Sequence, residues 1–249
     1  MSLNDPDFVC EQYASEVGLA ARKAVYTEVS GPDARELVFR AVAESSPRQV
    51  LEVGCGEGEL AARLLSELGA EVTALDQSPR MVELTGSRGV DARLGDVQEL
   101  PFADESFDVA VAAWMLYHVP TPGLALRELA RVVRPGGRVV AATNCSDHLF
   151  EMFELAGAEH FELPFGGENG EELLSQHFDS VERRDADGTV TFRDAAAIRS
   201  YFRSSARLAR YADEVPELTE PLVARRRPVV FVAEGPQRCQ AAVRGVRST

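Results

Sequence analysis

Residues 50–58 read Val-Leu-Glu-Val-Gly-Cys-Gly-Glu-Gly. An apolar, β-branched run stops at a Gly-x-Gly-x-Gly turn. Glu59-Leu60-Ala61-Ala62-Arg63-Leu64-Leu65 then follows with helical apolar spacing. This order predicts a buried strand, a tight turn and a helix start. Glycines at 54, 56 and 58 permit positive φ and let a ligand approach without a Cβ in the way. The N–H groups of the helix start are expected to face that ligand.

A glycine loop alone is a weak signal, and the next strand sharpens it. Glu71 to Leu75 ends at Asp76. An acidic residue at the tip of the second strand accepts hydrogen bonds from ribose hydroxyls in doubly wound folds. Dinucleotides and phosphate-free nucleosides both fit that pattern, and charge separates them. The turn carries Glu57 and Glu59 and no Lys or Arg, and the third dinucleotide glycine position is Glu59. Carboxylates there repel a pyrophosphate and favour a cationic ligand.

VLEVGCGEG, ALDQSPRMVE (residues 74–83), GDVQELPFADESFDVAVAAWMLYHV (residues 95–119) and ELARVVRPGGRVV (residues 128–140) occur in that order. Together they resemble a class I S-adenosylmethionine-dependent methyltransferase of the small-molecule type, over residues 48–145 and more weakly to Phe231. The resemblance implies an α/β, Rossmann-like, doubly wound sheet of seven mostly parallel strands with an antiparallel last strand. It implies S-adenosyl-L-methionine as cofactor, held by Glu52, Gly54, Gly56, Asp76, Gln77, Met81, Asp96, Val97, Ala113 and Trp114. Asp96 takes the adenine amino group or is a turn aspartate, Val97 covers the ring, and Met81 lines the adenine or packs the core. Trp114 walls the transfer pocket or packs under the next helix. Carbonyls of Ala112 or Ala113 meet the cofactor's amino group.

The domain reading is a helical cap over residues 1–47, a cofactor-binding domain over 48–235 with a lid-like insertion at 144–170, and a frayed tail at 236–249. In the cap, Tyr13 and Tyr26 either contact the methionine end, as the family implies, or pack the helix. The insertion's aromatics suit a lid over an apolar or planar acceptor, or a helix over residues 147–156 with its own satellite core. Pro135-Gly136-Gly137 predicts a sharp turn into a fifth strand over residues 138–143. Asp194 caps a helix running to about Leu208, and residues 217–226 read as another helix.

The 249 residues, 45% of them hydrophobic, bury a sizeable core. A net charge of −14 weighs against the basic face of a nucleic-acid binder and leaves Arg225-Arg226-Arg227 as the only dense basic patch. The N-terminus lacks the pattern of a secretion signal and no run is long and apolar enough to span a membrane, so a cytoplasmic location is expected. Cys10, Cys55, Cys145 and Cys239 show no metal spacing, and no metal is expected.

Methyl transfer from a sulfonium needs alignment and water exclusion more than proton chemistry. An alcohol or phenol acceptor adds the need for a base. His118, after the fourth strand, is the first candidate, against a structural histidine bonded to a loop carbonyl. His148, after the fifth strand, is the second. The expected activity is methyl transfer to O, N or C of a small molecule, with a homodimer as one assembly. The competing readings are an RNA or protein methyltransferase, an NAD(P)-dependent oxidoreductase, and a catalytically silent cofactor-binding protein.

Overall fold

The computed structural model describes residues 28–159, 162–205 and 207–237, together with Arg22, Ala24 and Tyr26. Tyr13, most of the expected cap over residues 1–47 before residue 28, His160, Phe161, Cys10, Cys239 and the tail beyond residue 237 lie outside the described residues.

Seven strands form one sheet: β1 (Gln49–Val53), β2 (Glu71–Asp76), β3 (Asp91–Leu94), β4 (Phe107–Ala113), β5 (Val133–Asn144), β6 (Phe178–Asp185) and β9 (Pro228–Pro236). Their order is β3-β2-β1-β4-β5-β9-β6. β1 to β5 pair in parallel, with Val53 opposite both Leu75 and Ala112. β9 runs antiparallel between β5 and β6. This is the expected doubly wound sheet with its antiparallel last strand.

Each face of the sheet carries its own core. On one, Leu51, Val53, Leu126, Leu129, Phe165 and Phe231 pack beneath α4 (Pro122–Val132) and α6 (Gly170–Ser175). On the other, Val50, Val72 and Val111 meet Val38 and Val42 of α1 (Ala34–Ala43) and Leu64 of α2 (Glu59–Leu68). β9 serves both, sending Val229, Phe231 and Ala233 to one face and Val230 and Val232 to the other. Its unbroken apolar run therefore reflects burial on two sides. Local signals start and stop the helices as expected. Ser78 caps α3 (Pro79–Ser87) with Pro79 in its first turn, and Gly69 ends α2 at φ 64°.

Three expectations are corrected. Pro135-Gly136-Gly137 makes no separate turn: it lies within β5, in a bulge where the register jumps between Phe107 opposite Val133 and Val109 opposite Arg138. Gly136 at φ 81° supplies the kink. The helix expected from Asp194 is real but shorter, as α7 (Ala195–Arg203). The helix expected over residues 217–226 is instead β8 (Leu222–Arg226), paired antiparallel with β7 (Gly188–Phe192) in a separate hairpin. β8 alternates, with Val223 and Arg225 exposed and Ala224 and Arg226 buried. An inward-facing arginine hides that period from any reading of apolar residues.

The hairpin completes a third core. Met152 and Phe153 of α5 (Phe150–Leu155) pack with Val190, Phe192, Ile198, Phe202 and Ala224. Phe153 meets Phe202 edge-on at 5.6 Å. Each such ring or branched side chain contributes about 1.5–3 kcal/mol by burial. Residues 149–158 therefore share a satellite core with the segment between β6 and β9, the second of the two readings given for that stretch. Among the described residues no helix is long and apolar enough to cross a membrane.

Candidate active site

The strand order reverses between β1 and β4. The helix after β1 lies on one face and the helix after β4 on the other, which opens a crevice at their carboxyl edges. The glycine loop fills one side of it. Gly54, Gly56 and Gly58 have φ of 65°, 54° and 73°. A Cβ on Gly54 would stand 2.7 Å from Met115, and one on Gly58 would stand 2.6 Å from the Thr85 hydroxyl. Both the left-handed backbone and the close neighbours exclude side chains there.

The N–H groups of Gly54, Cys55, Gly56 and Gly58 already have protein acceptors. Gly54 and Cys55 both donate to the Leu75 carbonyl, at 2.7 and 3.3 Å, and Gly58 donates to the Cys55 carbonyl at 2.9 Å. Gly56 donates to Asp76 Oδ2 at 2.9 Å, and the Ala61 N–H bonds Glu52. A diphosphate in this turn would have to compete with protein acceptors for these donors. Basic groups reach only the flank: Arg88 Nε donates to the Glu57 carbonyl at 2.6 Å, and Arg35 stands 3.9 Å from Glu59.

The crevice is lined instead by carboxyl groups. Asp76 Oδ1 accepts from the Ser78 N–H at 2.9 Å, so both its oxygens are oriented by backbone donors and retain lone pairs. Burial raises its carboxyl above the ordinary range. Glu52, 4% exposed, occupies a β1 position that an apolar residue would otherwise fill. Its Oε2 is buried without a partner among the described residues, and burial, with Asp76 nearby, pushes the carboxyl up to about 8. Cys55 is no nucleophile: burial pushes its thiol up to about 12.

The remaining predicted cofactor residues scatter in exposure. Gln77 and Asp96 are exposed, and Asp96 Oδ1 accepts from the Gln98 N–H at 2.9 Å. Met81 is fully buried in the first turn of α3, and Val97 joins the main core. Ala113 ends β4. Trp114 follows in the left-handed region at φ 55°, a conformation a bulky residue adopts only under constraint. Its N–H donates to the Ala142 carbonyl at 2.8 Å, and its indole Nε1 donates to Asn144 Oδ1 at 3.4 Å. The ring is thereby fixed across the β4 and β5 edges.

The two histidines differ. His118 sits in a single 3-10 turn, Leu116–His118, with its ring 4.5 Å from that of Tyr117. His148 Nδ1 accepts from the Arg227 N–H at 2.9 Å, so the neutral ring carries its proton on Nε2. That Nε2 donates to the Tyr26 hydroxyl at 3.1 Å. Burial, with Arg226 adding, pushes the imidazole down to about 3. Both its nitrogens are engaged in holding Tyr26 and β8, and neither offers an open lone pair.

Sequence reasoning missed Met115, which walls Gly54, and Arg226, which reaches this region from the β7–β8 hairpin. Met115 lay unremarked inside a quoted motif, and nothing in the order of residues marks Arg226 as buried. Cys145, Asp147 and Glu168 offer ligand atoms within 4.8 Å of one another, although their spacing carries no metal signature. Arg183, Arg227 and Ser146 already bond them.

Residues 51–141 match the family model described as a methyltransferase domain. Over that stretch the chain is similar to methyltransferases. Curated relatives of this chain include the methyltransferase GfsG of Streptomyces halstedii, 36% identical over 121 residues, which are 45% of this chain and 44% of that protein. The malonyl-[acyl-carrier protein] O-methyltransferase of Pseudescherichia vulneris is 35% identical over 143 residues, covering 57% of each. The chain thus spans about half the length of the curated relatives it matches. Among solved structures, the [4+2]-cyclase SpnF superposes with a TM-score of 0.62 at 18% identity, over 92% of this chain and 96% of that one. A Haemonchus contortus phosphoethanolamine N-methyltransferase superposes at 0.61 and 16% identity, over 95% of this chain and 61% of that one. At such identities these two show the shared fold.

Proposed function

We propose that this methyltransferase chain transfers a methyl group from S-adenosylmethionine to a small-molecule acceptor by in-line displacement. The observation that carries this reading is the glycine loop. The N–H donors of Gly54, Cys55, Gly56 and Gly58 are consumed internally while Asp76 and Glu52 bring carboxyl oxygens to the crevice. A dinucleotide needs free donors for its phosphates; a phosphate-free nucleoside with cationic ends needs acceptors. The unpartnered Glu52 Oε2 is a fit for such a ligand, since a buried lone acceptor is costly until it is paired. The same observation disfavours an NAD(P)-dependent oxidoreductase, and the charge of −14 disfavours a nucleic-acid substrate.

Bound S-adenosylmethionine supplies an activated methyl group on a sulfonium. Asp76 accepts from the ribose hydroxyls, and the Gly54 backbone gives room for close approach. Glu52 offers its unpartnered oxygen as an acceptor to the ammonium of the amino acid end. Asp96 and Val97 take the adenine edge and face. Trp114 and Met115 wall the crevice and exclude water, so alignment supplies most of the rate. His118 is the remaining histidine to take a proton from a hydroxyl acceptor. The names of relatives, among them the ubiquinone biosynthesis O-methyltransferase of Xanthomonas oryzae, support oxygen as the methylated atom.

Transfer of labelled methyl groups from S-adenosylmethionine to a panel of phenols and hydroxy acids tests the reading. Labelled product with at least one acceptor is the expected result. Binding of the cofactor with no transfer to any acceptor favours the catalytically silent alternative.

A further inference from the structure

Arg226 is a buried cation with no counterion among the described residues. Its side chain is 8% exposed, on the inward face of β8 beside Ala224. Nη2 donates to the carbonyls of Ser30 and Pro32, at 3.0 and 2.7 Å. Nε is buried and finds no acceptor, and no described carboxylate pairs with the guanidinium. The nearest acid in sequence on the β5 side, Asp147, is already bonded to Arg225 and Arg227. An unpaired buried charge is among the costliest groups a fold can keep. The two carbonyls account for its orientation and leave its charge uncompensated.

Arg226 does not stand alone. Tyr26 lies within electrostatic reach of Arg226, Tyr117 and Tyr201, and Arg226 acts on His148 as well. The hydrogen-bond direction here is fixed. The Arg227 N–H donates to His148 Nδ1, His148 Nε2 donates to Tyr26, and so the Tyr26 proton is left for a further acceptor. Burial raises the Tyr26 phenol well above its ordinary value and keeps that proton in place. A positive group short of a negative one and a hydroxyl proton short of an acceptor thus occur together. Tyr117 follows β4 and His148 follows β5, so the pair belongs to the carboxyl edge where the acceptor enters.

We propose that Arg226 and Tyr26 form a carboxylate-binding site in the acceptor crevice, and that the acceptor of this methyltransferase carries a carboxylate. The proposal rests on the functional reading above for the identity of the crevice. The guanidinium supplies charge and an Nε–H donor, and Tyr26 supplies a second donor. A carboxylate could also come from the amino acid end of the cofactor, and the two sources separate experimentally.

The probes are 4-hydroxybenzoate, its methyl ester, S-adenosylhomocysteine and 5′-methylthioadenosine, which lacks the amino acid end. Each is titrated calorimetrically into the wild-type chain, Arg226→Gln and Tyr26→Phe, with the benzoates measured both with and without S-adenosylhomocysteine. For an acceptor site, the acid binds wild type about tenfold or more tighter than the ester. Arg226→Gln removes that preference, Tyr26→Phe reduces it, and S-adenosylhomocysteine affinity stays unchanged. For a cofactor site, Arg226→Gln weakens S-adenosylhomocysteine about tenfold and leaves 5′-methylthioadenosine unaltered; this keeps the carboxylate site and overturns the acceptor assignment. If neither carboxylate discriminates Arg226 from Gln, the proposal is overturned. The comparison of acid with ester in wild type holds even if Arg226→Gln fails to fold, and equal binding of the two, with S-adenosylhomocysteine no tighter than 5′-methylthioadenosine, overturns it as well. Failure of S-adenosylhomocysteine to bind wild type at all sinks the functional reading alone, because the benzoate arm without cofactor stands independently.

Discussion

The two walls of the crevice are built on different principles. The glycine-loop wall, residues 49–97, takes its chemistry from backbone and strand tips: three left-handed glycines, Asp76 at the end of β2, and Glu52 inside β1. The opposite wall, formed from residues 144–227 together with Tyr26, takes its chemistry from side chains that meet only in three dimensions. His148 follows β5, Arg226 comes from β8, and Tyr26 comes from the segment before α1. Backbone geometry is encoded locally, so the first wall is a fixed cradle. The second depends on a satellite core staying docked, and it is free to differ with the acceptor.

The sharpest way to break this contrast is at Asp76. Loss of its charge-assisted hydrogen bonds is expected to weaken S-adenosylhomocysteine binding about 100-fold in Asp76→Ala. An affinity within about threefold of wild type would mean that the ribose is held elsewhere. On the opposite wall, His148→Ala leaves the Arg227 N–H and the Tyr26 hydroxyl without a partner. A stability loss of about 2–3 kcal/mol by denaturant unfolding is expected, with cofactor affinity unaltered. A change in the pH profile of transfer with no loss of stability would restore His148 as a base.

Two glycines sharpen the comparison further. Gly58 and Gly69 flank α2 with nearly equal φ, 73° and 64°. A Cβ on Gly58 runs into Thr85, whereas one on Gly69 meets nothing within 4 Å. Gly69→Ala therefore costs only left-handed strain, about 1 kcal/mol, and Gly58→Ala adds a clash for about 2 kcal/mol or more. Equal losses in unfolding experiments would remove the argument that the loop is a tight cradle.

The smallest effect is in the pH dependence of stability, and the walls oppose each other there. Glu52 has a folded value of about 8 against an ordinary 4.5, so between these the folded state holds the extra proton and stability falls as pH rises. His148 has a folded value of about 3 against 6.5, so between these the unfolded state holds the extra proton and stability rises with pH. The two cancel between 4.5 and 6.5. From 6.5 to 8 Glu52 acts without His148, and stability falls by up to about 1.4 kcal/mol per pH unit. Glu52→Gln is expected to flatten that fall in pH-resolved unfolding, and an unchanged slope would place its origin elsewhere.

What was legible in the sequence follows the same division. Asp76, the glycines and the strand order were readable because each is announced by neighbours within one β-turn-α unit. Ser78-Pro79 and Gly69 likewise marked helix ends through local chemistry. The hairpin was not legible. Leu222 to Arg226 lacks apolar alternation because its inward position carries Arg226. The loop's saturated N–H groups were also hidden, since their acceptors at Leu75 and Asp76 come from a different strand. His148 looked like a base because sequence does not reveal that the Arg227 N–H already occupies its Nδ1.

The central claim is that the crevice takes a phosphate-free, sulfur-bearing nucleoside in preference to a diphosphate. Calorimetric titration of the wild-type chain with S-adenosylhomocysteine and with NAD tests it most directly. Saturable one-site binding of S-adenosylhomocysteine with no measurable heat from NAD is the predicted result. NAD binding as tightly, or S-adenosylhomocysteine failing to bind, would contradict it.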